Sequence, residues 1–188
     1  MSGLDHFTHL APFYDNALPF YSLESLREHG MFSGQELVLD AGGGTGRVAL
    51  ALTPFVRRVV VADLSSGMLA QAKNKGLAVL KSPVELLPFR NGTFDRVVMI
   101  DALHHLIDQK HAADEMWRIL APGGLIVIQE PDIRKFSIKL IALAEKIALM
   151  RSHFLSSAEI AGLFRSRHCV ISLVDEDQST WVIIMKSN

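Results

Sequence analysis

Short apolar runs alternate with longer, mixed segments along most of the chain. Glu36-Leu37-Val38-Leu39-Asp40, Val59-Val60-Val61-Ala62, Leu77 to Leu80, Phe94 to Ile100 and Leu125 to Gln129 each have the length and bulk of a β-strand. The run Val59-Val60-Val61 shows no polar/apolar alternation, which suits a strand covered on both faces. Between the runs, Arg47 to Leu52, residues 66–75 and residues 109–120 read as helices, the last closed by Pro122-Gly123-Gly124 ahead of the fifth strand. Two helices are predicted ahead of the first strand, over 6–18 (stopped by Pro19) and over 22–30 (capped by Ser22, ended by Gly30). Beyond the fifth strand, 133–150 reads as helical, and Ser156 with Glu159 forms a capping-box pattern that opens another helix. Val170 to Val174 and Trp181 to Met185 are the last strands; Asp175 to Thr180 leaves room only for a hairpin, so that pair should be antiparallel. Alternating strands and helices with right-handed crossovers predict an α/β fold with a seven-stranded, mostly parallel sheet and an antiparallel C-terminal hairpin strand. The chain reads as a single domain over 1–188, with a helical lead-in over 1–33 and a cap segment over 133–155.

The strongest local signal is Val38-Leu39-Asp40-Ala41-Gly42-Gly43-Gly44-Thr45-Gly46. A strand ends, the chain turns without side chains, and a helix begins. Glycines there let the backbone approach a ligand and take positive φ, and open parallel sheets bind ligands beyond the carboxyl ends of their strands. The spacing is G-x-G-x-G; at the sixth position from Gly42, where a dinucleotide site carries glycine, stands Arg47. The Gly-Lys-Ser/Thr ending of an ATP loop is missing. Asp40, ahead of the glycines, would repel a pyrophosphate but suits a cationic group. S-adenosyl-L-methionine carries an ammonium and a sulfonium and no phosphate, so the local charge favours it. The second strand ends at Asp63, where a carboxylate can accept both hydroxyls of a ribose; its plain alternative is a cap for the helix over 66–75.

Composition narrows the classes. The 188 residues are 49% hydrophobic and 21% charged, enough for a sizeable core. A net charge of −1 offers no basic excess for a phosphate backbone, which argues against a nucleic-acid partner. Cys169 is the single cysteine, so no internal disulfide or multi-thiolate metal site can form, and the histidines lack metal-ligand spacing; no metal is expected. The start lacks a signal-peptide pattern and there is no transmembrane segment of about 18 apolar residues; a cytoplasmic protein is expected.

Several segments together resemble the class I S-adenosylmethionine-dependent methyltransferases, most of all the small-molecule branch that includes the ubiquinone/menaquinone C-methyltransferases. They are Val38 to Gly46; Val61-Ala62-Asp63-Leu64-Ser65-Ser66-Gly67-Met68-Leu69; Val84-Glu85-Leu86-Leu87-Pro88-Phe89 with Thr93-Phe94-Asp95; Ala102-Leu103-His104-His105-Leu106; and Leu120-Ala121-Pro122-Gly123-Gly124. Phe7 to Tyr14-Asp15 resembles the family's lead-in, and the likeness covers roughly 5–130, with Phe154-Leu155-Ser156 to Phe164 beyond. The resemblance implies a Rossmann-like three-layer αβα sandwich. It implies that Asp40, Ala41, Gly42, Gly44 and Gly46 hold the methionine part and that Asp63 takes the ribose. Leu64 and Met68 should touch adenine or ribose, with Val84 and Glu85 beside adenine. The backbone at Asp101 and Ala102 should face the ammonium, His105 should lie near the methyl group, and Tyr14 should close over the cofactor. One position departs: Pro83 stands where related sequences carry an acidic residue that reads the adenine amino group. That departure supports the alternative of a non-catalytic binding or regulatory domain on the same fold.

Methyl transfer from a sulfonium is an in-line displacement, so alignment can supply much of the acceleration, and a base is needed only if the acceptor must lose a proton. His104, His105, Asp101 and Glu130 are the candidate bases, all at carboxyl ends of strands four and five. The bland readings are packing for the histidines and a strand end with a capping Asp132 for Glu130-Pro131-Asp132. In the helix over 133–150, Phe136, Leu140, Leu143, Ile147 and Met150 share a face. Its plain reading is core; its sharper one is a lid for a lipophilic acceptor such as a quinone, or a homodimer face. The acceptor is expected to be a small molecule methylated on carbon or oxygen.

Overall fold

The computed structural model describes residues 23–134, 153–176 and 178–188. The lead-in helix over 6–18, Tyr14, and nearly all of the cap segment, including Phe136 to Met150, lie outside them. In chain order the elements are α1 (Leu23–Gly30), β1 (Leu37–Ala41), α2 (Arg47–Leu52), β2 (Arg58–Asp63), α3 (Ser66–Asn74), β3 (Ala78–Lys81), β4 (Phe94–Ile100), α4 (Gln109–Ile119), β5 (Leu120–Pro131), α5 (Ser157–Gly162), β6 (Cys169–Glu176) and β7 (Ser179–Lys186), with single 3₁₀ turns at Thr53–Phe55 and Leu103–His105.

The strands form one seven-stranded sheet in the order β3-β2-β1-β4-β5-β7-β6. β1 to β5 pair in parallel, whereas β7 runs antiparallel to both β5 and β6. The expected α/β architecture and its antiparallel C-terminal hairpin are thus present. The period-two geometry of strands divides the core into two halves. Leu39, Val97, Met99, Ile126 and Ile128 face a cluster completed by α4 (Ala112, Ala113, Met116, Ile119) and by Ile160, Ala161 and Phe164. Their neighbours Val38, Val98, Ile100 and Val127 face the other cluster, completed by Leu26 of α1, Val48, Ala49 and Leu52 of α2, and Leu69 of α3. Every central strand therefore buries both faces, which is why Val59-Val60-Val61 needs no polar alternation.

Element ends are set by local chemistry. Ser65 caps α3 by accepting from Met68 N, and Asp108 caps α4 by accepting from His111 N. The predicted capping box is formed: Ser156 and Glu159 exchange both side-chain bonds. One boundary differs. Pro122-Gly123-Gly124 was expected as a turn closing a helix before strand five, but β5 begins at Leu120, because Leu120 already pairs with Phe94. The ladder then shifts register and resumes at Arg96–Leu125, so the Pro-Gly-Gly segment is an irregularity inside the strand, with Gly123 at φ 71°.

Candidate functional site

All but one of the described site candidates lie at or just beyond the carboxyl ends of β1 to β5; Met68 lies one turn into α3, after β2. At the end of β1, Gly42 N and Gly43 N donate to Ala62 O of β2 (2.8 and 3.3 Å), and Gly46 N donates to Gly43 O (2.8 Å), which folds the turn back on itself. The glycines are not equivalent. A Cβ on Gly42 would lie 2.8 Å from the Ala102 methyl carbon, one on Gly43 would lie 2.5 Å from the Asp40 carboxyl, and one on Gly46 would lie 2.4 Å from Leu77. Those three have no side chain because protein occupies the space. Gly44 (φ 54°) differs: the nearest atoms to its Cβ position are Met68 Sδ at 3.9 Å and Asp63 Oδ2 at 4.0 Å. Its open side is bordered by the thioether and the carboxylate expected at a ribose–adenine site.

Asp63 ties this side together. Its Oδ2 accepts from Gly44 N (2.9 Å) and its Oδ1 from Ser65 N (2.7 Å). Asp40, 1% exposed, lies beneath the turn and accepts from Ala49 N in the first turn of α2 (3.1 Å). Burial pushes its carboxyl up to about 7, with the Ala49 bond and the Arg47 charge pulling down and Asp63 pushing up. Arg47 also donates to Asp101 Oδ2 (3.0 Å). The sequence gives Arg47 no site role: it opens a helix and departs from a dinucleotide motif. A lone charge opening the otherwise apolar α2 was the signal for it. Gly43 was likewise passed over.

Beyond β4 the chain turns sharply. Asp101 has φ 52°, a left-handed conformation tolerated by Asp better than by most side chains, and its N–H donates to Gln129 O (2.9 Å). Burial raises its carboxyl above the usual range, against the pull of Arg47. Glu130, at the end of β5 and 2% exposed, holds the turn: its Oε1 accepts from Ala102 N (3.0 Å) and Leu103 N (2.8 Å), and its Oε2 meets His104 Nδ1 at 2.5 Å. The His104 ring, 4% exposed, stacks on Phe154 (4.3 Å, 12°) and lies 3.9 Å from the His105 ring. His105 is only partly exposed; burial, and secondarily the His104 charge, lower it to about 3, so its imidazole is neutral at physiological pH.

On the β3 side, Val84 is buried in the core, and Glu85 Oε1 accepts from Ile107 N (3.2 Å) and Asp108 N (3.3 Å), linking the loops after β3 and β4. Leu64 is 61% exposed on the rim. The structure thus gathers Gly44, Asp63 and Met68 around one opening, with Asp40 buried beneath the turn. It gathers Asp101, Ala102, His104, His105 and Glu130 around the adjacent turn, joined to the first group by Arg47.

Residues 39–128 match the family described as "Methyltransferase domain". The ubiquinone/menaquinone biosynthesis C-methyltransferase UbiE of Coxiella burnetii is 34% identical over 104 residues, 50% of this chain and 42% of that protein. The protein of the same name from Geobacter sulfurreducens is 33% identical over 144 residues, 67% of this chain and 56% of that protein. The chain thus spans about half the length of these relatives. A SAM-dependent methyltransferase from Aquifex aeolicus superposes with a TM-score of 0.73 at 20% identity, covering 98% of this chain and 99% of that one, which shows a shared fold. With the strand order, the glycine turn and these matches together, the chain carries a methyltransferase domain of the class I S-adenosylmethionine-dependent type and resembles the ubiquinone/menaquinone C-methyltransferase branch.

Proposed function

We propose that this chain transfers the methyl group of S-adenosylmethionine to a carbon or oxygen atom of a small, largely apolar acceptor in the cytoplasm. The observation that carries the reading is the open side of Gly44, bordered by Asp63 and Met68 while the other glycines of the turn abut protein. Among the described residues Asp63 and Asp101, with Asp40 beneath the turn, stand against the guanidinium of Arg47 and the ammonium of Lys75, which donates to Thr45 O; that balance suits a ligand that is cationic and free of phosphate. In this assignment Asp63 and Met68 hold the ribose and adenine, and the turn over Ala41 to Gly44 with Asp101 and Ala102 holds the methionine part. The sulfonium donor supplies a methyl group already activated for displacement.

What the chain adds is position. A base with a pKa of about 3 is a weak proton acceptor at neutral pH, so His105 acts as a neutral wall of the acceptor site. The acceleration then rests on alignment. Leu64, Leu86 and Ile107 expose 61, 72 and 92% of their surface in the loops after β2, β3 and β4. That apolar rim supports a lipophilic acceptor, and the names of the relatives point to a quinone-like ring. Among the described residues no helix is long and apolar enough to cross a membrane.

Calorimetric titration with S-adenosylmethionine tests the donor. Saturable binding is expected, weakened by Asp63→Ala by about 1–3 kcal/mol through loss of a charged acceptor. A correctly folded variant with unchanged affinity would remove Asp63 from the site.

Donor affinity should also depend on pH. Because Asp40 is raised to about 7 from an ordinary 3.8, the folded chain holds that proton more tightly than the unfolded one. Its contribution to stability is fully present below pH 3.8 and is lost as pH rises through 7. A cationic ligand prefers the ionised form, so donor affinity should rise with pH up to about 7, approaching roughly tenfold per unit below that point. Titrations in buffers of different ionisation enthalpy should show a proton released on binding at pH 6.5, about half a unit under the Asp40 value. Affinity flat from pH 5 to pH 8 would separate Asp40 from the donor, since that interval brackets its titration at about 7.

A further inference from the structure

The two edges of the sheet are built differently. β3 is four residues long and ends in Lys81, a short edge with a charge on it. β6 is eight residues long, pairs with β7 without a register break, and carries neither lysine nor proline. Among the described residues nothing pairs with its outer side. His168 O accepts from Ser187 N in the register that continues through Cys169–Lys186, so even-numbered residues bond to β7. The N–H and C=O groups of Cys169, Ile171, Leu173 and Asp175 therefore point away from the sheet. Val170 (61%) and Leu173 (46%) are exposed along this edge. A groove of about 370 Å³ runs beside it, lined by Ala161, Arg165, Arg167, Cys169, Ile171 and Leu173.

Charge along this segment is polarised. Arg165, Arg167 and His168 precede the strand, and Asp175 and Glu176 end it. Within the chain Arg167 meets Asp114, Asp175 meets Arg134 and Glu176 meets His29; the Asp175 and Glu176 side chains stay 52% and 34% exposed, so a second copy would share these groups. An antiparallel copy of the same segment would bring its acidic end to this basic start, and its basic start to this acidic end. Centred on Ser172, the pairing sets Ile171 of each copy opposite Leu173 of the other, and Val170 opposite Val174. All four backbone-bonding positions then find partners, and the apolar side chains of the second copy enter the groove.

We propose that β6 is a self-complementary edge through which two copies of this chain join into one continuous sheet. The pairing is independent of what the opposite, ligand-binding region holds.

Sedimentation equilibrium of the intact chain tests it. The wild type is expected at twice the chain mass at micromolar concentration, and Leu173→Lys, at an exposed position, at the mass of one chain with an unchanged circular dichroism spectrum. Ser172→Cys in a Cys169→Ser background places two thiols across the two-fold axis, at a non-hydrogen-bonded pair where strands approach most closely. Mild oxidation should cross-link that variant into a covalent dimer. A wild type that stays monomeric, a Leu173→Lys variant that stays dimeric, or a dimeric Ser172→Cys variant that fails to cross-link would overturn the proposal.

Discussion

Replacing Gly44 with valine is expected to abolish measurable donor binding while leaving the chain folded. Two separate effects act at that position. Gly44 sits at φ 54°, where a β-branched residue is strained by about 1–3 kcal/mol. That strain falls on stability and is smaller than the 5–15 kcal/mol typical of a domain, so the melting temperature should drop by roughly 2–12 °C. The second effect falls on the ligand. The Cβ position has no protein neighbour nearer than 3.9 Å, so the isopropyl group enters the opening and not the core. It would occupy the space beside Asp63 and Met68 and deny it to the donor, raising the dissociation constant by at least about a hundredfold, or 2.7 kcal/mol. Gly46→Val gives the contrast. Its Cβ meets Leu77 and Ala72, so its cost should appear as unfolding before any effect on binding can be read. If calorimetry found Gly44→Val binding S-adenosylmethionine as tightly as the wild type, the opening beside Gly44 would not be the donor site.

The contrast among those glycines marks where reading a sequence runs out. The strand-turn-helix frame is legible because its signals are local: Val38 to Gly46 is continuous, carrying the end of β1, the glycine turn and the start of α2 in one stretch. The side on which each glycine is open depends on Ala102, Leu77 and Asp40, and two of those three come from distant elements. The same holds for Arg47 with Asp101, 54 positions apart. The local pattern says that Arg47 opens an otherwise apolar helix but not which carboxylate it meets. Asp101 is harder still, because nothing in its neighbours announces a left-handed φ. Glu130 and His104 were read as candidate acid–base groups because they stand at strand ends. That placement is right, but their contact, 26 positions apart, is a tertiary fact. The start of β5 was missed for a related reason. A Pro-Gly-Gly sequence reads as a turn, and only the partner strand shows that pairing had already begun at Leu120.

The Glu130 contact sets up the second large effect. Glu130→Ala would leave two buried backbone N–H groups and the His104 ring without their acceptor. Each unsatisfied group costs about 1–3 kcal/mol, and removing one member of a buried pair typically costs about 3–5 kcal/mol. A loss on that scale should lower the melting temperature by roughly 10 °C or more and can unfold the chain, so the alanine variant alone cannot separate structure from function. Glu130→Gln can. The glutamine carbonyl can go on accepting from Ala102 N and Leu103 N, whereas its NH₂ group would face His104 Nδ1 as a donor. His104 must then switch to the tautomer with Nδ1 unprotonated, or turn away from Glu130 and from Phe154. Donor affinity should hold within a few-fold, because Asp63 and the Gly44 opening lie on the other loop. The turnover number should fall by about ten- to a hundredfold, since a small misplacement of the wall formed by His105 disturbs the line of attack. Nitrogen chemical shifts of the His104 ring report the tautomer directly, a readout that a merely destabilised turn would not move. Full turnover in Glu130→Gln, with the tautomer switched, would show that the pair stabilises the fold and has no part in aligning the reactants.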